Sequence, residues 1–307
     1  MPGRTEMDER AACDLCGRGT FAEATDIGRV RSNVREFRDE TFTVWRCNAC
    51  GSIHSLEQID YARYYANYPL QRQKLDWFAR TLFASRLRIL LRAGFERHHS
   101  LLDYGCGNGA FVRFLIERGY RLAVGYDPYS QGNCDRSVLD RPYDFVAAQD
   151  VIEHVPDPKA LVCDLSRLVA RPGGVLALGT PNADHIDLHR GLDAVGQLHQ
   201  PHHRHIFSEK QLRAVVEEAR LRVDRVFRRF YVDTPLPFAN SRFLFRYMEA
   251  IDGTVDAGFD PIALRRVLTS PRLLFFGLLG GWLPPKKDML VIARAIPDHV
   301  PETKTGA

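Results

Sequence analysis

The feature that most constrains this chain is a glycine-rich turn, residues 105–109, that separates an apolar strand from a helix. In the stretch LLDYGCGNGAF, residues 101–111, the strand ends at the turn and the helix begins directly after it. Glycines in such a turn let the backbone approach a ligand closely at the carboxyl edge of a parallel sheet. The turn therefore predicts a parallel sheet with a ligand-binding edge.

Strand and helix patterns alternate from residue 100 onward, and several helices carry start or stop signals. Gly119 ends the helix after the glycine turn, Asp157 and Pro158 begin the next one, and SEKQ at 208–211 is a capping box. This alternation predicts an α/β fold with a doubly wound, Rossmann-like sheet that helices cover on both faces.

The C-terminal part of the chain departs from this alternation. RVDRVFRRFYV and DMLVIARA read as two strands without room for a standard crossover helix at their ends, so we expect them to close the sheet antiparallel. Between them, FLFRYMEAI, ALRRVL and LLFFGLLGGWL indicate an inserted helical cap before the last strand. The apolar LLFFGLLGGWL is interpreted as a contact for an acceptor with an apolar part, as a homodimer interface, or as the core of the cap itself.

Four of the seven cysteines form two Cys-x-x-Cys pairs, and each pair is followed by a glycine. In a reducing compartment such pairs are more typical of metal ligands than of disulfides. Four thiolates complete the tetrahedral shell of Zn²⁺ and leave no open position, so the site is expected to be structural. The sequence therefore predicts a zinc ribbon whose ligands are Cys13, Cys16, Cys47 and Cys50.

These patterns divide the chain into five predicted parts. From the N-terminus they are the zinc-ribbon module, lid helices within the helical period of 61–94, a cofactor-binding core, the cap with the closing strand, and a flexible tail. Their boundaries are 1–58, 59–98, 99–232, 233–296 and 297–307. A short strand, TFTVW at 41–45, is expected to lead into the second cysteine pair.

Composition and hydropathy exclude several classes of protein. The net charge of +4 gives no strong signal for nucleic-acid binding. No apolar stretch approaches the roughly 20 residues that span a bilayer, and LLFFGLLGGWL is too short and contains glycine. The charged N-terminus lacks the apolar region of a secretory signal, so we expect a cytoplasmic protein.

The glycine turn alone fits two cofactors that share an adenosyl group, NAD and S-adenosylmethionine (SAM). Asp127 ends the second strand, 22 residues after Gly105, where its carboxylate can accept hydrogen bonds from both ribose hydroxyls of either cofactor. Asp103 favours SAM, because it precedes the turn and can interact with an amino-acid ammonium group, which NAD lacks. The spacing of Gly105, Gly107 and Gly109 also satisfies D-x-G-x-G-x-G.

Three further motifs follow the turn in order: DVIEHVPDP, RPGGVLALGTPN and HHRHIFS. With them, residues 100–232 and the strand near 288–295 resemble class I SAM-dependent methyltransferases. The N-terminal cysteine pairs are similar to the zinc module that precedes several methyltransferases of sugars and other small molecules. The resemblance implies a Rossmann-like methyltransferase sheet with SAM as its cofactor.

The resemblance also implies a set of cofactor-binding residues at the ends of three strands. Gly105 and Gly107 would bring the main chain to the methionine part of SAM, and Asp127 would fix its ribose. The full set is Asp103, Gly105, Cys106, Gly107, Asp127, Pro128, Gln149 and Asp150. For Asp150 a helix-capping role is an equal alternative. The adenine contact stays open between Asp135 and the main chain, because only 15 residues separate Asp127 from the next strand.

Histidines are the candidate proton acceptors, because a hydroxyl or amine acceptor usually loses a proton and imidazole titrates near neutral pH. His154 follows the third parallel strand, where packing against its loop is an equal alternative. In the resembled family the loop with His199, His202, His203 and His205 borders the acceptor pocket, and His203 or His205 is the preferred base. A second metal there is less expected, because no carboxylate lies at matching spacing.

Aromatic residues in YYANYP, residues 64–69, indicate a substrate lid. Tyr65 and Tyr68 are the candidates to lie over the sulfonium of SAM, where a cation–π contact contributes about 0.5–2 kcal/mol. A role in the core of a helix is the alternative for either tyrosine.

The leading hypothesis is methyl transfer to a small-molecule acceptor, namely a sugar, a glycolipid or a natural-product intermediate. The alternative is an RNA or ribosomal-protein methyltransferase that binds its substrate through the zinc ribbon. Against this alternative, DIGRVRSNVREFRDE mixes acids among its arginines and lacks an exposed aromatic ladder. A cofactor-binding module without catalysis is a third hypothesis, which the intact glycine turn and the histidine-rich loop oppose.

Overall fold

Two β-sheets organise the molecule. A computed structural model describes residues 11–66, 72–189, 197–228, 233–234, 236–283 and 287–297, so most of the predicted tail lies outside these ranges. The strands are β1 (Ile27–Arg31), β2 (Thr41–Arg46), β3 (Ile53–Ser55), β4 (Leu101–Tyr104), β5 (Ala123–Tyr126), β6 (Phe145–Gln149), β7 (Val175–Pro181), β8 (His205–Ile206), β9 (Leu221–Phe227) and β10 (Asp288–Ala295). The α-helices are α1 (Tyr61–Tyr65), α2 (Trp77–Arg92), α3 (Ala110–Glu117), α4 (Pro158–Arg167), α5 (Glu209–Glu218), α6 (Ser241–Ile251), α7 (Leu264–Leu268) and α8 (Pro271–Leu279).

The larger sheet has the strand order β5-β4-β6-β7-β10-β9. The first four strands in this order run parallel, whereas β10 pairs antiparallel with both β7 and β9. All seven residues of β7 are buried, as expected for a strand that is covered on both faces. The predicted parallel sheet and its antiparallel closure are therefore confirmed.

The connection from β5 to β6 is unusually short for such a sheet. It contains a short 3₁₀ turn, Arg136–Leu139, where the resemblance would place a helix and a further strand. Asp135 Oδ1 caps this turn by accepting a hydrogen bond from Ser137 N at 2.9 Å. Asp135, one of the two expected adenine contacts, is thereby bound at one oxygen to the backbone of its own turn.

The starts of α4 and α5 follow the predicted capping signals, with one difference. Asp157 Oδ1 accepts a hydrogen bond from Ala160 N at 2.9 Å, and Ser208 Oγ accepts one from Gln211 N at 3.1 Å. The predicted capping box is only half formed, because Gln211 Nε2 donates to Leu15 O at 2.8 Å and not to the backbone of the cap. That bond ties α5 to the first cysteine pair.

The helical period of 61–94 forms two helices and not one continuous helix. Asp60 Oδ1 accepts a hydrogen bond from Ala62 N at the start of α1, and Asp76 Oδ1 accepts one from Ala79 N at the start of α2. The second cap marks a new helix start that the apolar spacing alone did not indicate.

The smaller sheet has the order β1-β2-β3-β8 and is antiparallel throughout. Its first three strands lie in the predicted zinc-ribbon module, but β8 comes from the histidine-rich loop after β7. His54 of β3 pairs with His205 of β8. The predicted boundary at residue 58 therefore does not separate two self-contained sheets, because the module holds part of the histidine-rich loop.

Helices α6, α7 and α8 form the insertion between β9 and β10. Met248 of α6 lies in a buried apolar cluster with Tyr64 of α1 and Phe37 of the N-terminal module. Arg35 of that module also forms an ion pair of 2.6 Å with Asp252. The insertion is therefore packed against the N-terminal third of the chain. Within the described ranges, every helix is too short or too polar to cross a membrane.

Candidate active site

The glycine turn closes against the end of the neighbouring strand. Gly105 N donates a hydrogen bond to Tyr126 O at 2.7 Å, and Gly105 has a left-handed φ of +73°. A Cβ at Gly105 would collide with Val151, which follows β6, whereas a Cβ at Gly107 would meet no heavy atom of the described residues within 4 Å. The lack of a side chain at Gly105 therefore lets the end of β4 contact the segment after β6. Gly107 borders open space that a ligand can fill.

Asp127 joins the end of β5 to the same turn. Its Oδ2 accepts a hydrogen bond from Gly107 N at 2.9 Å, and its Oδ1 accepts one from Tyr129 N at 2.8 Å. Each carboxylate oxygen can accept a further hydrogen bond, so capacity for two ribose hydroxyls remains. Pro128 follows on the exposed surface. The predicted ribose-binding acid therefore stands beside the predicted backbone cradle.

Asp103 already has a cationic partner within the protein. Arg86 of α2 donates a hydrogen bond to Asp103 Oδ1 at 2.6 Å, and both side chains are buried. Burial raises the pKa of Asp103, and the Arg86 guanidinium opposes that rise. The charge that was expected to meet the ammonium group of SAM is therefore balanced by Arg86, which no sequence motif marked.

The thiol of Cys106 is directed towards β5, and its backbone N–H donates to Tyr126 O at 3.2 Å. The side chain packs over Gly125, where a Cβ would lie only 2.6 Å from the sulfur. Burial raises the pKa of Cys106 to about 12, so the thiol is neutral near pH 7. The cofactor role of Cys106 stays a prediction, to which the neutral thiol contributes no negative charge.

The end of β6 places Gln149 and Asp150 side by side. Gln149 Nε2 donates a hydrogen bond to Asp150 Oδ1 at 2.9 Å. Asp150 has a left-handed φ of +55°, and burial raises its pKa to about 6. Asp157 caps the helix that follows, so the alternative of Asp150 as a helix cap is wrong. An uncommon backbone conformation and a shifted pKa are typical of a carboxylate at a functional site.

Four histidines, which we call the histidine cluster, converge from the loops after β6 and β7. They are His154, His199, His202 and His203. The rings of His154 and His203 lie 4.8 Å apart at 90°, and those of His199 and His202 stack at 4.7 Å. Burial lowers the pKa of His202 to about 4 and that of His203 to about 3, and it lowers the pKa of the other two well below the ordinary value. All four rings are therefore neutral near pH 7.

Hydrogen bonds decide which nitrogen of each ring can accept a proton. His203 Nδ1 lies 2.6 Å from Gln197 O, so Nδ1–H donates to that carbonyl and Nε2 is the basic atom. His202 has the opposite tautomer, because its Nε2 lies 3.1 Å from Tyr64 O and Nε2–H donates to that carbonyl. His203 therefore has the tautomer that leaves Nε2 as the proton acceptor, as a general base needs.

Tyr65 connects the cofactor edge with the histidine cluster. Its hydroxyl oxygen lies 2.8 Å from His154 Nδ1, and its ring stacks on Tyr129 with the centroids 5.2 Å apart. The same ring stands edge-on to His202 at 4.9 Å. This position suits the predicted lid, whereas Tyr68 lies outside the described residues.

Glu153 is a buried carboxylate beside the cluster that the sequence spacing did not predict. Its Oε2 accepts a hydrogen bond from Thr180 Oγ1 at 3.0 Å, and burial together with the nearby Asp150 raises its pKa. Ligand atoms of Glu153, His154 and His203 lie within 4.8 Å of one another and could hold a metal ion. The expectation that no carboxylate would match these histidines is therefore wrong. The adjacent acid and histidine in IEHV were the available signal.

His205 lies outside the cluster. Its Nδ1 is 3.1 Å from His54 Nδ1, and His54 Nε2 is 3.1 Å from Cys13 Sγ. The pairing of β8 with β3 turns this side chain towards the cysteine pairs. The prediction of His205 as a base at the acceptor pocket is therefore corrected, since its contacts belong to the cysteine-rich module.

The two cysteine pairs come together. Cys13 Sγ lies 3.7 Å from Cys50 Sγ, and Cys16 Sγ lies 3.7 Å from Cys47 Sγ. All four sulfur atoms lie within 4.8 Å of one another. Four sulfur atoms at these separations fit the tetrahedral coordination that Zn²⁺ adopts in structural sites.

The sequence also matches a protein family described as a methyltransferase domain, over residues 71–226. Ubiquinone biosynthesis O-methyltransferases of Yersinia pestis and Yersinia pseudotuberculosis are 30% identical to this chain, over 31% of its length and 47% of theirs. The chain therefore spans about half the length of these curated relatives.

Two solved structures show a weak similarity to this chain. Magnesium protoporphyrin IX methyltransferase from Synechocystis PCC 6803, with bound SAH, is 15% identical with a TM-score of 0.41, over 78% of this chain and 90% of that one. Coclaurine N-methyltransferase bound to N-methylheliamine and SAH is 13% identical with a TM-score of 0.38, over 69% of this chain and 72% of that one. Neither likeness is close enough to bear on the ligands of this chain.

Proposed function

This chain belongs to the family of SAM-dependent methyltransferase domains, and we propose that it methylates an oxygen or nitrogen atom of a small-molecule acceptor. The proposed acceptor is a sugar, a glycolipid or a natural-product intermediate. The position of Tyr65 carries the proposal, since it contacts Tyr129 on the cofactor side and His154 and His202 on the other. One aromatic residue covers the place where a methyl donor and its acceptor have to meet.

In this proposal the cofactor edge acts mainly through its backbone. When bound, SAM supplies a methyl group on a sulfonium centre. Gly107 borders the open space beside the turn, and Asp127 accepts hydrogen bonds from the ribose hydroxyls. Asp103 and Arg86 fix the start of the turn through their ion pair, and Asp150 ends the adjoining strand.

We assign proton removal to His203, with His154 on the other side of the cluster as the alternative. His203 Nε2 is the basic atom, because Nδ1 donates to Gln197 O. Burial makes a charged imidazolium costly, so the arriving polar acceptor or an ionised Glu153 has to stabilise it. A general base typically contributes about 10²–10⁴-fold in rate, with positioning supplying the rest.

We further propose that a structural Zn²⁺ supports the acceptor side of the site. Its ligands are Cys13, Cys16, Cys47 and Cys50. The module reaches the histidine-rich loop through the β3–β8 pairing and through a hydrogen bond of 2.6 Å from Ser208 Oγ to Cys50 O. His54 adds a third link, because it bridges Cys13 and His205. A closed site of four thiolates has no position for a substrate, so the metal stabilises the fold.

The test combines the purified full chain, SAM and a panel of sugars, phenols and amines, with S-adenosylhomocysteine as the readout. Calorimetry measures SAM binding to Asp127→Ala, which should be weaker by about tenfold or more because charged hydrogen bonds are lost. The matched control is Asp140→Ala, which removes an exposed acid and should bind SAM normally.

Three results would overturn parts of the proposal. Tighter binding of NAD than of SAM would remove the cofactor assignment, and so would full SAM affinity in Asp127→Ala. RNA that copurifies with the protein and is released at high salt would favour the RNA methyltransferase alternative.

A further inference from the structure

Seven large apolar side chains stand exposed between residues 262 and 282, in the part of the insertion that contains α7 and α8. They are Ile262, Leu264, Leu268, Phe275, Leu278, Leu279 and Trp282, and we call them the cap face. Leu264 is 65% exposed, Leu268 68% and Trp282 73%. Single exposed apolar residues are ordinary on protein surfaces, but a group of them on adjoining helices marks an interaction site.

Helical spacing places these residues on the outer side of the insertion. In α8, Phe275, Leu278 and Leu279 are exposed, while Leu273 and Gly277 on the opposite side are buried. A Cβ at Gly277 would collide with a neighbouring phenylalanine ring, so the inner side of α8 is closely packed. The apolar residues of the outer side are therefore not required for the packing of the insertion.

Positive charge predominates in the segment of the sequence that carries the cap face. Residues 261–287 contain no Asp or Glu and five basic residues. These are Arg265, Arg266, Arg272, Lys286 and Lys287. The three arginines are exposed, and none of them forms an ion pair with a described residue. Unpaired cations beside exposed apolar side chains indicate a partner that is both negatively charged and apolar.

We propose that the cap face docks on the surface of an anionic lipid bilayer. Such a surface offers negative headgroups to the arginines and an apolar layer to Phe275, Leu278 and Trp282. Tryptophan is typical of this interface, because its ring has an apolar body and a polar edge. A second copy of the cap face would bring like charges together, so charge complementarity favours the bilayer over self-association. The nine residues of α8 rise only about 13.5 Å, so the docking is peripheral.

The cap face is linked to the acceptor side through buried contacts. Helix α8 packs on α6, and Met248 of α6 shares an apolar cluster with Tyr64 of α1. The next residue, Tyr65, is the proposed lid. Buried contacts through α6 therefore connect the docked cap face to the lid helix. The binding itself does not depend on the proposed function.

The test is co-sedimentation of the full chain with vesicles of phosphatidylcholine alone or of equal parts phosphatidylcholine and phosphatidylglycerol. The wild-type protein should sediment with the mixed vesicles only, and high salt should reduce the bound fraction. Leu278→Gln combined with Trp282→Gln should weaken binding by about tenfold or more, because two apolar anchors are lost. Arg265→Gln and Arg266→Gln should each weaken it by about fivefold.

The matched controls lie on α2, which is not part of the insertion. Trp77→Gln removes an exposed aromatic side chain and Arg92→Gln an exposed cation, and both should bind like the wild type. Thermal melts establish that each variant is folded.

The proposal is overturned if the wild-type protein stays in solution with both vesicle types, or if the controls weaken binding as much as the cap-face variants. It is also overturned if light scattering detects a dimer that the cap-face double variant dissociates. Because the readout is sedimentation, such failures leave the proposed methyl transfer untouched.

Discussion

The cofactor edge and the histidine cluster are neighbouring halves of one site, but they are built in opposite ways. The cofactor edge is backbone held by a glycine turn and Asp127, within residues 103–129. The histidine cluster and its lid consist of side chains from three separate segments, around Tyr65, His154 and 199–203. A site made of backbone depends on a few positions where no side chain fits. A site made of side chains depends on every contributing segment being held in place. A substitution in the histidine cluster should therefore lower turnover and leave SAM affinity unchanged.

The clearest separation of the two halves is expected from loss of the metal site. Cys47→Ser removes one of the four thiolates, so the module should unfold and lose the β3–β8 pairing that supports the histidine-rich loop. We expect turnover to be abolished while SAM affinity stays close to that of the wild type. Elemental analysis should find zinc in the wild-type protein and none in the variant. Cys134→Ser, at an exposed cysteine, is the control and should keep both metal and turnover. Full turnover in zinc-free Cys47→Ser would contradict this account.

A smaller effect, confined to the acceptor half, is expected from removal of the base. His203→Gln should lower turnover by about 10²–10⁴-fold and leave SAM binding unchanged. His98→Gln, at an exposed histidine, is the control. The loss should be smaller for a phenol than for an alcohol, since a phenol ionises more readily. Base catalysis by the cluster is wrong if His203→Gln and His154→Gln both keep the wild-type rate on the natural acceptor.

Acid should destabilise the protein through the histidine cluster. Burial lowers the pKa of His202 to about 4 and that of His203 to about 3, whereas an unfolded histidine titrates near 6.5. Between these values the unfolded chain binds more protons, so the stabilisation is complete above about pH 6.5 and is lost as the pH falls. Each histidine contributes about 1 kcal/mol per pH unit in this window.

Buried carboxylates such as Glu153 have a raised pKa and therefore favour the folded state as the pH falls. The prediction is for this reason made as a comparison between two proteins. Between pH 7 and pH 5 the Tm of the wild-type protein should fall further than that of His203→Gln. Equal shifts in the two proteins would show that His203 is not buried as a neutral ring.

The smallest effect is expected at the residue that joins the two halves. Tyr65→Phe removes the hydroxyl that lies 2.8 Å from His154 Nδ1 but keeps the ring that stacks on Tyr129. A hydrogen bond contributes about 0.5–1.5 kcal/mol, so turnover should fall by about two- to tenfold. Tyr65→Ala removes the ring as well and should raise KM for both SAM and the acceptor. A rise for the acceptor alone would mean that Tyr65 does not cover the cofactor edge.

The framework of the cofactor edge could be predicted from the sequence, because its determinants are local. The strand, the glycine turn and Asp127 follow one another closely along the chain, and their spacing defines the geometry. The same holds for Asp157 as the cap of α4, which bonds a backbone amide three residues away. The Cys-x-x-Cys spacing, together with the residue type, indicated that the two cysteine pairs would converge.

The rest could not be predicted, because distant partners compete with local signals. His205 shares a loop with His203, yet its pairing with β3 turns it towards the cysteines. Arg86 reaches Asp103 from a helix whose pattern indicates only packing. Gln211 donates its side-chain hydrogen bond to Leu15 O, within the first cysteine pair, and not to the backbone of its capping box. In each case the choice of partner depends on the tertiary fold.

Calorimetric titration of SAM tests the separation of the two halves most directly. Gly105→Ala forces a left-handed conformation on alanine and drives its side chain into Val151. Strain of this kind costs about 1–3 kcal/mol, so SAM affinity should fall by about five- to 150-fold. Gly94→Ala also forces alanine to a positive φ, +97°, but meets no heavy atom of the described residues within 4 Å, and should bind SAM like the wild type. His203→Gln should also bind SAM like the wild type. Undiminished affinity in Gly105→Ala, or an equal loss in His203→Gln, would contradict the account.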